Sequence, residues 1–200
     1  MFRFLNILLI ILFITTSKLA LSSSYEEGDY IRIQKYLEEL NSFEAEFLQI
    51  SPSGEVKKGK LYLDLPGRLR INYTKPEDLL ITSNGFWLVI QNLKLKQTNN
   101  VPINQSPLDT FLNKKLALDS KDFRIKLKKV NGIISLAYTD REDKQVSHFK
   151  LEFTDNPIKL KKWIIEDEFE NKTTVLLQNL TTGKKYSKHL FTPIDFGDQN

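Results

Sequence analysis

The chain has 200 residues, 40% of them apolar and 27% charged, ordinary globular usage that excludes a fully disordered chain and a polytopic membrane protein. It has no cysteine, which excludes thiol nucleophiles, Cys-based metal sites and disulfides, so packing alone must hold the fold. A net charge of +4 is too small an excess to point to nucleic acid.

The first segment reads as a targeting signal. Arg3 lies in a short basic start, residues 5–15 are almost continuously apolar, and Ala20-Leu21-Ser22 places small residues two apart, as a signal peptidase requires. The rival reading, a membrane anchor, needs about 20 apolar residues, and Thr15-Thr16-Ser17-Lys18 interrupts the run before that. We therefore expect residues 1–22 to be a signal peptide and 23–200 to form a single domain. Without a cysteine after the apolar run, the chain cannot itself be an N-terminally acylated lipoprotein.

Tyr30, Ile33, Leu37 and Leu40 recur at helical spacing, which predicts an amphipathic helix over residues 29–41. From Phe43 the period changes to two. Phe43, Ala45 and Phe47 alternate with acids up to the turn at Pro52-Ser53-Gly54, and Leu61 and Leu63, then Leu69, Ile71 and Tyr73, alternate with polar residues on either side of Pro66-Gly67. Residues 79–82 and 86–90 flank Asn84-Gly85, a strong hairpin signal, giving about five strands in the first half. Ser106 before Pro107 predicts a capped helix over 107–113. Five or six strands follow, marked by Phe123, Ile125 and Leu127; Ile134, Leu136 and Tyr138; Phe149, Leu151 and Phe153; Trp163 and Ile165; and Val175 and Leu177. Short connections imply antiparallel neighbours, hence one curved, mainly β sheet or barrel of about 10–11 strands with two helical insertions. Its apolar face is either packed by its own side chains or left as a cavity, and alternation alone leaves both open.

Enzyme signatures are thin. Residues 54–60 copy much of a phosphate-binding loop, but Leu61 stands where a Ser or Thr must hold magnesium, and no helix follows. His148 and His189 are the only histidines, too few for a metal cage, and no Gly-x-Ser-x-Gly occurs. Asp167 and Glu168 are neighbours expected on opposite strand faces. Lys126, Lys128, Lys150 and Lys162 alternate with apolar residues and so form a solvated outer face that can serve as a docking surface.

The order and spacing of Leu65-Pro66-Gly67-Arg68-Leu69-Arg70-Ile71-Asn72-Tyr73, Ser83-Asn84-Gly85, Leu95-Lys96-Gln97-Thr98, Ser106-Pro107-Leu108, and then Leu160, Trp163, Asp167, Thr174, Val175, Leu177, Asn179, Gly183, Leu190 and Phe191 resemble the LolA family of periplasmic lipoprotein carriers. The resemblance implies an unclosed antiparallel β-barrel with a helical lid over an apolar cavity, and binding without covalent chemistry or a cofactor. It implies acylated lipoproteins as cargo, an ATP-driven lipoprotein-releasing transporter in the inner membrane, an outer-membrane lipoprotein receptor, a periplasmic location and a monomer. The acyl-chain lining it implies is Leu61, Leu63, Leu69, Ile71 and Tyr73 from the sheet, with Leu108, Phe111 and Leu112 from the lid. An envelope sensor that binds a lipid or peptide with the same half-barrel is the alternative. Many members carry an arginine before the proline of the first motif, tying sheet to lid; here that position is Leu65.

Overall fold

The computed structural model describes residues 20–106, 108–113, 123–140, 148–167 and 169–197. Most of the expected signal peptide, Pro107 and Glu168 lie outside them. The helix expected at 29–41 is α1, Ala20–Glu39, which starts nine residues earlier than the apolar spacing marks. Eleven strands follow in chain order: β1 Ser42–Ile50, β2 Val56–Asp64, β3 Arg68–Tyr73, β4 Leu79–Asn84, β5 Trp87–Asn92, β6 Gln97–Pro102, β7 Phe123–Val130, β8 Ile133–Asp140, β9 His148–Thr154, β10 Lys159–Glu166 and β11 Lys172–Thr182. The second helix, α2, is Leu108–Leu112, between β6 and β7.

All strands join one antiparallel sheet in the order β6-β5-β4-β3-β2-β1-β11-β10-β9-β8-β7. Two meanders are thus welded where β1 meets β11, and β6 and β7 remain as free rims, so the barrel is not closed. The expected fold class is the observed one.

Period two decides which face each side chain takes. Phe43, Ala45, Phe47, Leu61, Leu63, Leu69 and Ile71 from the first meander are buried on the face covered by the helices. Ile134, Leu136, Tyr138, Phe149, Leu151, Phe153, Leu160 and Trp163 from the second are buried in the same cluster. In one row of the sheet, Phe47 pairs with Gly59 and Gly59 with Tyr73, and the two rings meet edge to face at 5.2 Å across the glycine. A Cβ on Gly59 would come within 2.8 Å of the Phe47 ring and 2.1 Å of the Asn72 carbonyl oxygen. The aromatic contact therefore needs a residue with no side chain beneath it.

The outer face is covered in part by the chain's C-terminal segment. Arg70 donates to the Leu190 carbonyl at 3.0 Å, and the Gln91 amide donates to the Ile194 carbonyl at 2.7 Å and accepts from its N–H at 2.8 Å. Phe191, in a turn of 3₁₀ helix at Lys188–Phe191, is buried there. This strap explains why Leu80, Thr82 and Gln91 are buried although they point away from the helices.

Two details differ from the sequence reading, and alternation leaves a third, the facing of β5, undecided. β6 carries no apolar alternation, yet forms because β5 offers it a hydrogen-bonding edge over residues 97–102. Asp167 lies beyond the end of β10, where its carboxylate accepts from the N–H groups of Phe169 and Asn171 in the turn. In β5, Leu88 is buried toward the helices while Trp87 is exposed.

Candidate functional site

The site is the helix-covered face of the unclosed barrel together with α1 and α2. Helix α1 exists because its apolar stripe has a sheet to cover: Ile33, Leu37 and Leu40 are buried in the common cluster. Tyr36 meets Phe153 edge to face at 5.7 Å, and its hydroxyl accepts the Leu160 N–H at 3.2 Å. Burial holds the Tyr36 phenol above its usual range.

Helix α2 has only five residues and is fixed at both ends. At its start the Ser106 hydroxyl accepts the Leu108 N–H at 3.2 Å, the cap the sequence predicts. At its end the Leu112 carbonyl accepts the Gly67 N–H at 2.7 Å. Between them Phe111, 1% exposed, projects into the sheet face, with ring centroids 6.1 Å from Phe149 and 5.9 Å from Trp163.

The eight residues expected to line the cavity are all found in or against the cluster under the helices. Leu61, Leu63, Leu69, Ile71, Phe111 and Leu112 are buried within it, and Tyr73 and Leu108 are half-buried against it. β2 and β3 bring Leu61, Leu63, Leu69, Ile71 and Tyr73 onto neighbouring strands, with Leu61 opposite Ile71 and Leu63 opposite Leu69. Phe111 and Leu112 of α2 are seated on this face.

The face carries little charge. Burial pushes the Tyr73 phenol up to about 12 and raises that of Tyr138 further, so both are neutral at physiological pH. The Tyr73 hydroxyl donates to the Gln49 amide oxygen at 2.5 Å.

Charge appears at one end, where sequence reasoning missed it. Lys129 shares parity with Ile125 and Leu127, so it turns inward, and its ammonium lies 3.2 Å from Asp29 and 2.6 Å from Asp155. Arg32 completes the group, 2.8 Å from each of the same two carboxylates. Asp29 is only 4% exposed. Hydrogen bonds from Lys129 and then Arg32 hold the Asp155 carboxyl below the usual carboxylate range. The signal was available: Asp29 stands four residues before Ile33, in phase with Leu37 and Leu40. This four-member cluster ties α1 to β7 and to the turn after β9.

Neither nearby arginine takes the place of one at position 65. Arg68 pairs with Asp64 at 2.6 Å and stacks over Phe191, and Arg70 holds the strap; both point outward. The lid is instead tied through the backbone of Gly67. Its φ of +81° suits glycine, and a Cβ there would fall 2.6 Å from the Gly85 Cα. We expect Gly67→Ala to lower the melting temperature by several degrees, since the left-handed conformation alone costs a non-glycine residue about 1–2 kcal/mol. Amide exchange of Phe111–Asn113 should rise above that of β2 and β3; uniform acceleration across the sheet would show that the turn supports the whole fold and not the lid.

The family model described as outer membrane lipoprotein carrier protein LolA matches residues 38–194. The chain belongs to the LolA family. The match runs from the end of α1 through the strap, covering the sheet and α2. The chain is 26% identical over 188 residues to the uncharacterized protein RP864 of Rickettsia prowazekii (strain Madrid E), covering 90% of this chain and 85% of that one. Among solved structures it is similar to the LolA superfamily protein NE2245 from Nitrosomonas europaea, with 10% identity, a TM-score of 0.46, and 84% and 97% of the two chains covered. It is also similar to a chain of the MucA/MucB complex of Pseudomonas aeruginosa, with 17% identity and a TM-score of 0.46. That match covers 84% of this chain and 61% of the other, so the chain spans about three-fifths of the length of its match there.

Proposed function

We propose that this LolA-family protein is a periplasmic carrier that binds the acyl chains of lipoproteins leaving the inner membrane and hands them to the outer membrane. The observation that supports this reading is Phe111 on a five-residue helix, seated against an uncharged apolar sheet face and tied down by a backbone hydrogen bond at its end. Such a plug can be displaced by another apolar group without breaking the sheet. Leu61, Leu63, Leu69, Ile71 and Tyr73 form the floor in this reading, and Leu108, Phe111 and Leu112 the movable wall.

The energetics favour an acyl guest. Each buried CH₂ contributes about 0.8 kcal/mol, so a long acyl chain offers roughly 10 kcal/mol before ordering costs. Part of that is offset by the apolar contacts that α2 gives up on opening, which leaves the loaded and empty states close enough in energy for release. Residues 1–22 are removed on export in this scheme, the releasing transporter and the receptor act on the loaded form, and no covalent step occurs.

The test is competition. An environment-sensitive fatty-acid probe should bind the purified protein and be displaced by an acylated lipoprotein, but not by the same polypeptide lacking its acyl chains. Equal displacement by the unacylated form would replace the carrier reading with peptide recognition by an envelope sensor.

A further inference from the structure

We propose that the outer face of the β7–β8 hairpin is a docking surface for an anionic lipid bilayer. Arg124, Lys126 and Lys128 occupy alternate positions of β7, all exposed on the face away from the helices. At about 3.4 Å per residue they form a row roughly 14 Å long. Their cross-strand neighbours on β8 are Thr139, Ala137 and Ser135, which are small and uncharged. Among the described residues no carboxylate pairs with any of the three. Glu152 of β9, in register with Ser135, is already held by Lys150 at 2.8 Å and Lys162 at 2.5 Å.

The row ends in an apolar tip on the same face. Val130 and Ile133 face each other across the hairpin and are 49% and 36% exposed. The two residues between them, Asn131 and Gly132, both have positive φ, at 50° and 74°, which closes a two-residue hairpin and holds the pair at its end. β7 is also a rim of the sheet, so this face lies at the edge of the molecule.

This combination fits a lipid surface better than a protein one. Anionic headgroups attract each cation without demanding a fixed geometry, and exposed aliphatics at a hairpin tip enter the headgroup boundary. A protein interface of high affinity is anchored by aromatic side chains in pockets, and this face presents none from β7 or β8.

The measurement is co-sedimentation with vesicles of phosphatidylglycerol and phosphatidylethanolamine, against vesicles of phosphatidylcholine, using wild type and variants prepared alike and free of lipoprotein. Wild type should bind the anionic vesicles, release them in 0.5 M salt, and ignore the neutral ones. The triple variant Arg124→Glu, Lys126→Glu, Lys128→Glu should lose binding on the order of 100-fold. The double variant Val130→Ser, Ile133→Ser should lose binding with the salt dependence retained. A charge-matched control, Lys75→Glu, Lys94→Glu, Lys185→Glu, should lose much less, and Lys126→Arg should bind as wild type. Matching melting curves separate lost binding from lost folding. Equal losses in the stripe and control variants, or equal binding to neutral vesicles, would overturn the proposal; binding of the stripe to an acidic protein but not to anionic vesicles would assign the face to a protein. Fatty-acid probe binding by the triple variant is a separate readout, so failure here and failure of the carrier reading are distinguishable.

Discussion

Phe111→Ala should bind an apolar probe more tightly than the wild type, by up to about 100-fold, while melting at a lower temperature. Truncating a buried phenylalanine typically costs about 3–5 kcal/mol. Here that loss falls on the closed arrangement, because Phe111 contacts Phe149 and Trp163 across the lid–sheet boundary and not within the sheet. A guest that must first displace the lid binds with an affinity reduced by the rarity of the open state, and weakening closure removes that reduction. Roughly 3 kcal/mol of lost closure corresponds to about two decades in apparent affinity. Probe titration well below the melting temperature, with calorimetry alongside, measures both effects. A lower melting temperature with unchanged or weaker probe binding would identify Phe111 as ordinary core and remove α2 from the site.

Lys129→Met should destabilise the protein by about 2–3 kcal/mol, less than the full cost of breaking a buried pair because Arg32 stays near both aspartates and is partly open to water. Asp29, almost wholly buried, then has one cationic partner fewer. Adding Asp29→Asn to Lys129→Met should recover part of the loss, since the orphaned charge and not the missing attraction is the larger penalty. The same cluster sets a pH dependence. Asp155 is held below the usual carboxylate range in the folded state, so its contribution is present above the unfolded value, about pH 4, and is lost as the pH falls through the lower folded value. Melting temperature should therefore decline on acidification below about pH 4, and the decline should be shallower in Asp155→Asn. An equally steep decline in that variant would place the acid sensitivity elsewhere, among the other carboxylates held low: Glu44 beside Lys184, Glu152 between Lys150 and Lys162, and Asp167 in its turn.

Much of this architecture is legible in the chain before folding. Period-two alternation is a local property, so Leu61, Leu63, Leu69 and Ile71 declare a shared face without knowledge of what covers it, and lysines 126 and 128 declare the opposite one. The stripe of Ile33, Leu37 and Leu40 likewise declares a helix with something to cover. The LolA family pattern added the half-barrel and its lid. Other features had no local signal to read. β6, with Gln97 to Asn100 all polar, is a strand because the edge of β5 was free to pair. The strap is fixed by Gln91 and Arg70, more than a hundred residues away from the carbonyls they hold. The bond from Gly67 to Leu112 joins a turn to a helix end that only the folded sheet brings within reach. Lys129 shows the division most plainly. Its parity is written in the sequence, but a lysine turned inward is tolerable only where carboxylates meet it, and Asp29 and Asp155 converge on it solely because α1 crosses the end of β7 beside the β9–β10 turn.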